Sequence, residues 1–123
     1  MLSPRIIPCL LVSDSGLVKT QKFSNKKYVG DPINAIRIFN EKECDELILL
    51  DIDASANFNG PDYGKIKKYA AECRMPFCYG GGIKTVEQAR SIISLGVEKV
   101  AVSSVVIEDL YFVERLASEI GSQ

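Results

Sequence analysis

Four short apolar runs, each leading into a segment with helical spacing, restrict this chain to one broad architecture. The runs are 5–12 (Arg-Ile-Ile-Pro-Cys-Leu-Leu-Val), 47–53, 76–79 and 99–103. Strands covered on both faces read as continuous apolar stretches, and parallel neighbours need a crossover, usually a helix. The helical segments follow in turn. Asp31 is a good N-cap, Pro32 suits the first helical position, and Ile33, Ile36 and Phe39 form a stripe that runs to about Glu43. A second helix is expected from Tyr63 to Cys73, with Ile66, Tyr69 and Ala70 facing inward. Thr85-Val-Glu-Gln88 fits a capping box and Gly96 closes that third helix. The fourth runs from about Asp109 to Ile120, with Leu110, Val113, Leu116 and Ala117 on one face and Gly121 at its end.

The order βαβαβαβα predicts an α/β fold with parallel strands. A closed (β/α)8 barrel has eight strands and about 250 residues, whereas this chain has 123 residues. The expectation is therefore one domain over residues 1–123, a (β/α)4 half of a TIM-type barrel. Such a half has two unpaired edges and an uncovered apolar inner face, which call for a partner. Pro8 is unusual in a strand and suggests an edge or a bulge. From Ser13 to Gly30 the chain makes a turn, a run from Leu17 to Phe23 and a polar loop, an excursion long enough to be a functional candidate.

The chemistry concentrates at Phe77-Cys-Tyr-Gly80-Gly81-Gly82-Ile83-Lys84-Thr85, where a buried strand runs through three glycines into a helix. Glycines let backbone N–H groups approach an anion, and the helix N-terminus adds partial positive charge, so this is a phosphate cradle. The run 99–103 ends in the hydroxyls of Ser103 and Ser104, which could form its other wall.

Composition removes several alternatives. Net charge is −1 with scattered lysines, which gives no footprint for nucleic acid. No histidine is present, which excludes Ser-His and Cys-His nucleophilic chemistry. Cys9, Cys44, Cys73 and Cys78 form no C-x-x-C pair, so reduced, buried thiols are expected, with no metal site and no cofactor. No signal-peptide pattern and no apolar run approaching about 18 residues is found, so no membrane partner is expected and the protein is read as cytoplasmic.

Arg5-Ile-Ile-Pro-Cys-Leu, Val18-Lys19, Gly30-Asp31-Pro32, Asp45-Glu46-Leu47, Leu50-Asp51-Ile52, Pro76-Phe77, Gly80-Gly81-Gly82-Ile83 and Lys99-Val100 together resemble the cyclase subunit of imidazole glycerol phosphate synthase, a (β/α)8 barrel of histidine biosynthesis. The likeness covers the whole chain but only the N-terminal half of that barrel. It implies that Gly81, Gly82, Ser103 and Ser104 bind one phosphate of a phosphorylated small molecule. Lys19 is similar to a lysine near that ligand, the competing reading being a solvated loop residue. Asp51 and Asp53 would shape the site or bind polar groups. Arg5, Glu46 and Lys99 match three of four charged residues through which the family admits ammonia from a glutamine amidotransferase subunit. A purely structural ring of ion pairs is the alternative.

The departures also carry meaning. The family's acid-base aspartates are absent: the first falls on Leu11 and the second would lie beyond Gln123, so no catalytic residue is assigned. Leu10-Leu11-Val12, Gly16 to Thr20 and Val29 to Ala35 also resemble a branch of the family used in surface-sugar biosynthesis, in which ammonia is passed on without cyclase chemistry. Two readings follow. One is a half-barrel of a glutamine-dependent synthase; the other is a non-catalytic phosphate-binding half-barrel in which two copies pair into a homodimeric barrel. The expected completing partner is a second copy of the chain or a C-terminal half-barrel.

Overall fold

The computed structural model describes residues 4–13, 16–19, 27–53, 60–102, 109 and 111–121. Along the chain its elements are β1 (Cys9–Ser13), β2 (Gly16–Lys19), β3 (Lys27–Gly30), α1 (Pro32–Glu41), β4 (Leu47–Asp51), α2 (Tyr63–Glu72), β5 (Phe77–Gly80), α3 (Val86–Ser94), β6 (Lys99–Ala101) and α4 (Phe112–Ile120). One sheet holds all these strands in the order β3-β2-β1-β4-β5-β6. The series β1, β4, β5, β6 is parallel, as the alternation of apolar runs and helices predicts.

The excursion from Ser13 to Gly30, expected as a turn, a run from Leu17 to Phe23 and a polar loop, contains a hairpin instead. β2 pairs antiparallel with β1 through Val12 opposite Leu17 and Ser13 opposite Gly16, and β3 pairs antiparallel with β2. Leu17 packs against the core, which gives the hairpin an apolar anchor that its lysines conceal in the sequence. The β1 margin is thus occupied at its C-terminal end, at Val12 and Ser13 only. Below β1, residues 6–8 continue beside β4: Asp45 N donates to Ile6 O at 3.1 Å and Ile48 N to Pro8 O at 2.9 Å.

Register divides the sheet into rows. Leu10, Leu49, Tyr79 and Val100 lie side by side across the four parallel strands, and Leu11, Leu50, Gly80 and Ala101 form the next row. Successive rows point to opposite faces. The strands advance in one direction, so right-handed crossovers place α1, α2 and α3 on a single face. Leu47, Leu49, Phe77 and Tyr79 meet Ile36, Ile66, Tyr69, Ala89 and Ile92 there in one buried cluster, and Phe112 and Leu116 of α4 complete it. On the opposite face Leu11, Ile48, Leu50 and Ala101 remain half-buried, and Cys9 is exposed. The expectation of buried thiols therefore holds for Cys78, is met halfway by Cys44 and Cys73, and fails for Cys9, which stands on the face that none of the described helices covers.

The caps expected for α1 and α3 form, whereas the inward face of α4 is shifted: Val113, expected to face inward, is exposed, and Phe112 is buried in its place. Asp31 accepts from Asn34 N at 3.3 Å, and Asp62 caps α2 by accepting from Lys65 N at 3.1 Å. Thr85 and Gln88 form the full capping box, with Gln88 N to Thr85 Oγ1 and Thr85 N to Gln88 Oε1 both at 3.1 Å. α4 begins at Phe112 rather than at Asp109, because Asp109 uses its carboxylate locally, accepting from Tyr111 N at 3.1 Å and from Arg115 at 2.7 Å.

Two outcomes are expected. Thr85→Ala should lower stability in urea unfolding by about 1 kcal/mol, the usual cost of losing such a cap. Burial, reinforced by the nearby Asp51 charge, holds the Tyr79 hydroxyl well above the usual tyrosine range. The folded chain then keeps a proton that the unfolded chain releases above about pH 10, so stability falls as pH rises through that point. Tyr79→Phe should flatten part of this fall in unfolding curves recorded at alkaline pH.

Candidate functional site

The two ends of the parallel strands differ in chemistry. At the C-terminal end, β5 runs into Gly80-Gly81-Gly82, with φ of +131° at Gly81 and +69° at Gly82. A Cβ on Gly81 would lie 2.5 Å from the Asp51 carbonyl oxygen and 3.0 Å from Asp51 Cβ. At Gly80 it would meet Leu50 Cδ2 at 2.7 Å and Ala101 Cβ at 3.0 Å. Gly80 and Gly81 are therefore demanded by the neighbouring strands, whatever else the turn does. Gly82 is buried, and α3 begins four residues later at Val86. Ser103 and Ser104, the expected second wall, lie outside the described residues. Lys19 closes β2 opposite Lys27, and its side chain is likewise outside what is described.

The turn after β4 carries the acidic pair. By register Asp51 shares a row with Val12 on the helix-facing side, where it lines a small gap with Tyr69 and Tyr79. Its Oδ1 accepts from Asp53 N at 3.0 Å, fixing the turn. Asp53 is 9% exposed and Ser13 4% exposed, and the Ser13 hydroxyl donates a short hydrogen bond to Asp53 Oδ2. Sequence reading missed Ser13, which it placed in a turn. Forty positions separate the two residues, and only the pairing of Val12 with Asp51 reveals that they meet.

At the N-terminal end, Arg5, Asp45, Glu46, Pro76, Glu98 and Lys99 line an open recess of about 280 Å³. Glu46 is 8% exposed, and Lys99 Nζ donates to its Oε1 at 2.5 Å. This hydrogen bond, aided by the charges of Glu46 and Glu98 and opposed by desolvation, raises the Lys99 ammonium above the usual lysine range. The arrangement brings all three expected gate residues to one mouth, with Arg5 exposed at its rim. Cys78 stands beside Lys99 in the same row, and burial, reinforced by Glu46, keeps its thiol above the usual range. Among the described residues no group of histidine, cysteine or carboxylate side chains is placed to hold a metal ion, and no helix is long and apolar enough to cross a membrane.

Gly81→Ala should destabilise the chain by about 2 kcal/mol or more, since positive φ and contact with the Asp51 backbone both oppose a side chain. The check is the urea midpoint, which should fall without a change of slope.

Comparison with known proteins places these features in a family. The family model described as histidine biosynthesis protein matches residues 5–123. A Pseudomonas aeruginosa protein, provisionally named imidazole glycerol phosphate synthase subunit hisF2, is 62% identical over 123 residues, covering 100% of this chain and 49% of the relative. A Leptospira interrogans protein, provisionally named as the HisF subunit of that synthase, is 59% identical over the same 123 residues and 48% of its own length. The imidazole glycerol phosphate synthase subunit HisF of Shewanella baltica is 37% identical, again over 100% of this chain and 48% of the relative. The chain thus spans about half the length of the curated relatives it matches. With a mostly parallel α/β sheet and a family match over nearly its whole length, this chain belongs to the histidine biosynthesis protein family, a family of TIM barrels.

Proposed function

We propose that this chain is the N-terminal half-barrel of a cyclase-like synthase subunit, which binds a phosphorylated small molecule at one end and receives ammonia from a glutamine amidotransferase at the other. The observation that carries this reading is the polarity of the sheet. A charged mouth with the Lys99–Glu46 pair lies at the strand starts, and a glycine turn followed by a helix N-terminus lies at the strand ends. Gly81 and Gly82, with Ser103 and Ser104, would hold the phosphate. Arg5, Glu46 and Lys99 would admit ammonia, since an ion pair at a mouth can open and reclose with little change of backbone.

Leu11 favours the branch that passes ammonia toward a sugar over cyclase chemistry. A leucine cannot carry a proton, and loss of a general acid or base costs on the order of 10² to 10⁴ in rate. The half-buried face of Leu11, Ile48, Leu50 and Ala101 also supports a second reading, a phosphate-binding module that dimerises to close its barrel. Both readings place the protein in the cytoplasm.

Calorimetry with inorganic phosphate, a glutaminase assay with an added amidotransferase subunit, and sedimentation of the chain alone separate these possibilities. The synthase reading expects phosphate binding and glutaminase stimulation that Lys99→Ala lowers several-fold. Absence of both complex formation and stimulation would overturn ammonia transfer. A two-copy mass with phosphate binding but no stimulation would favour the second reading.

A further inference from the structure

Two margins of the parallel sheet are filled by none of the described strands, one along residues 5–11 and one along β6. The carbonyls of Ile6 and Pro8 accept from Asp45 N and Ile48 N. Peptide groups alternate in direction along a strand, so Arg5, Ile7, Cys9 and Leu11 turn theirs to the open side. The N–H that Pro8 lacks would have pointed at β4, so the proline takes no donor from that margin. Between the margins lies the half-buried apolar face of Leu11, Ile48, Leu50 and Ala101.

A second copy supplies both missing neighbours at once. Half a turn about an axis along the strands sets β6 of each copy beside β1 of the other, joining four parallel strands from each with no margin left. Closure then fixes the register. The row Cys9, Ile48, Cys78 and Lys99 crosses one copy on the level. An eight-stranded parallel barrel returns to its first strand about eight residues away, so two identical junctions carry about four each. Counting up from Cys9 would set Lys99 against Ser13, which β2 already engages. Counting down sets it against Arg5, where the margin is open. An even displacement keeps inward side chains inward, and Ala101 then faces Ile7 rather than Leu11.

Charge agrees with this choice. Glu46 and Glu98 line the recess beside β6, and the shifted register brings them the guanidinium of the second copy's Arg5. Lys99 accommodates that cation because it already holds Glu46. We propose that two copies of this chain close a barrel in this shifted register, with Arg5 of each completing the charged mouth of the other. This rests on the two-copy reading given above and adds where the copies meet and what each lends.

The test is cross-linking of the full chain in a Cys9→Ser background, which removes the exposed thiol. Neighbouring strands lie about 5 Å apart, within disulfide reach, whereas residues four positions out of line are about 13 Å away. Ile7→Cys with Ala101→Cys should therefore give a two-copy band under mild oxidation that is lost on reduction. Leu11→Cys with Ala101→Cys should give none. Sedimentation of the unaltered chain should show a two-copy mass, and Arg5→Ala should weaken association several-fold. A two-copy mass in which the 11/101 pair links, or neither pair links, overturns the register and leaves the two-copy reading standing. Association undiminished by Arg5→Ala overturns the shared mouth. A single-copy mass at every concentration means that a different half-barrel covers the face, and overturns both.

Discussion

A parallel sheet whose crossovers all advance in one direction can be covered by its own helices on only one side, and that asymmetry governs the rest of this molecule. Leu47, Leu49, Phe77 and Tyr79 are deeply buried because α1 to α4 close over their row. Leu11, Ile48 and Leu50, no less apolar, remain half-buried because nothing in the described chain reaches them. Polar groups are correspondingly driven to the two ends of the sheet. At one end Lys99 forms an ion pair with Glu46, and at the other the Asp53 carboxylate accepts a hydrogen bond from Ser13.

Much of this was legible in the sequence because the signals were local. Thr85 and Gln88 are three residues apart, as Asp31 and Asn34 are, and such spacings announce helix starts without tertiary knowledge. The apolar runs at 47–50 and 77–79 gave strand and class for a similar reason. The hairpin of β2 and β3 was concealed. Its strands are four residues each, and the lysines at their ends make them resemble a solvated loop. What stabilises them is Leu17 reaching the core, a long-range contact that no local pattern records.

At the candidate site the division is similar. Gly81 and Gly82 were singled out by the strand–glycine–helix motif and the family resemblance, and the close approach of the Asp51 carbonyl gives Gly81 a packing reason that the sequence does not state. Glu46 and Lys99 were placed at one mouth from their positions at strand starts, and they meet there. Asp51 and Asp53, equivalent on paper and two residues apart, are separated by the turn that ends β4 at Asp51. One lies beside Tyr69 and Tyr79 under the helices, and the other hydrogen-bonds Ser13.

The hairpin also constrains how the sheet could grow. With Val12 and Ser13 already engaged by β2, an incoming strand beside β1 finds backbone donors and acceptors only at Leu11 and below. It must therefore dock offset toward the strand starts, so the chain itself prescribes the stagger of any added strand and rules out a flush alignment. Barrels close only when successive strands are displaced along their axes, and any strand added at this margin would take that displacement from a single short ribbon.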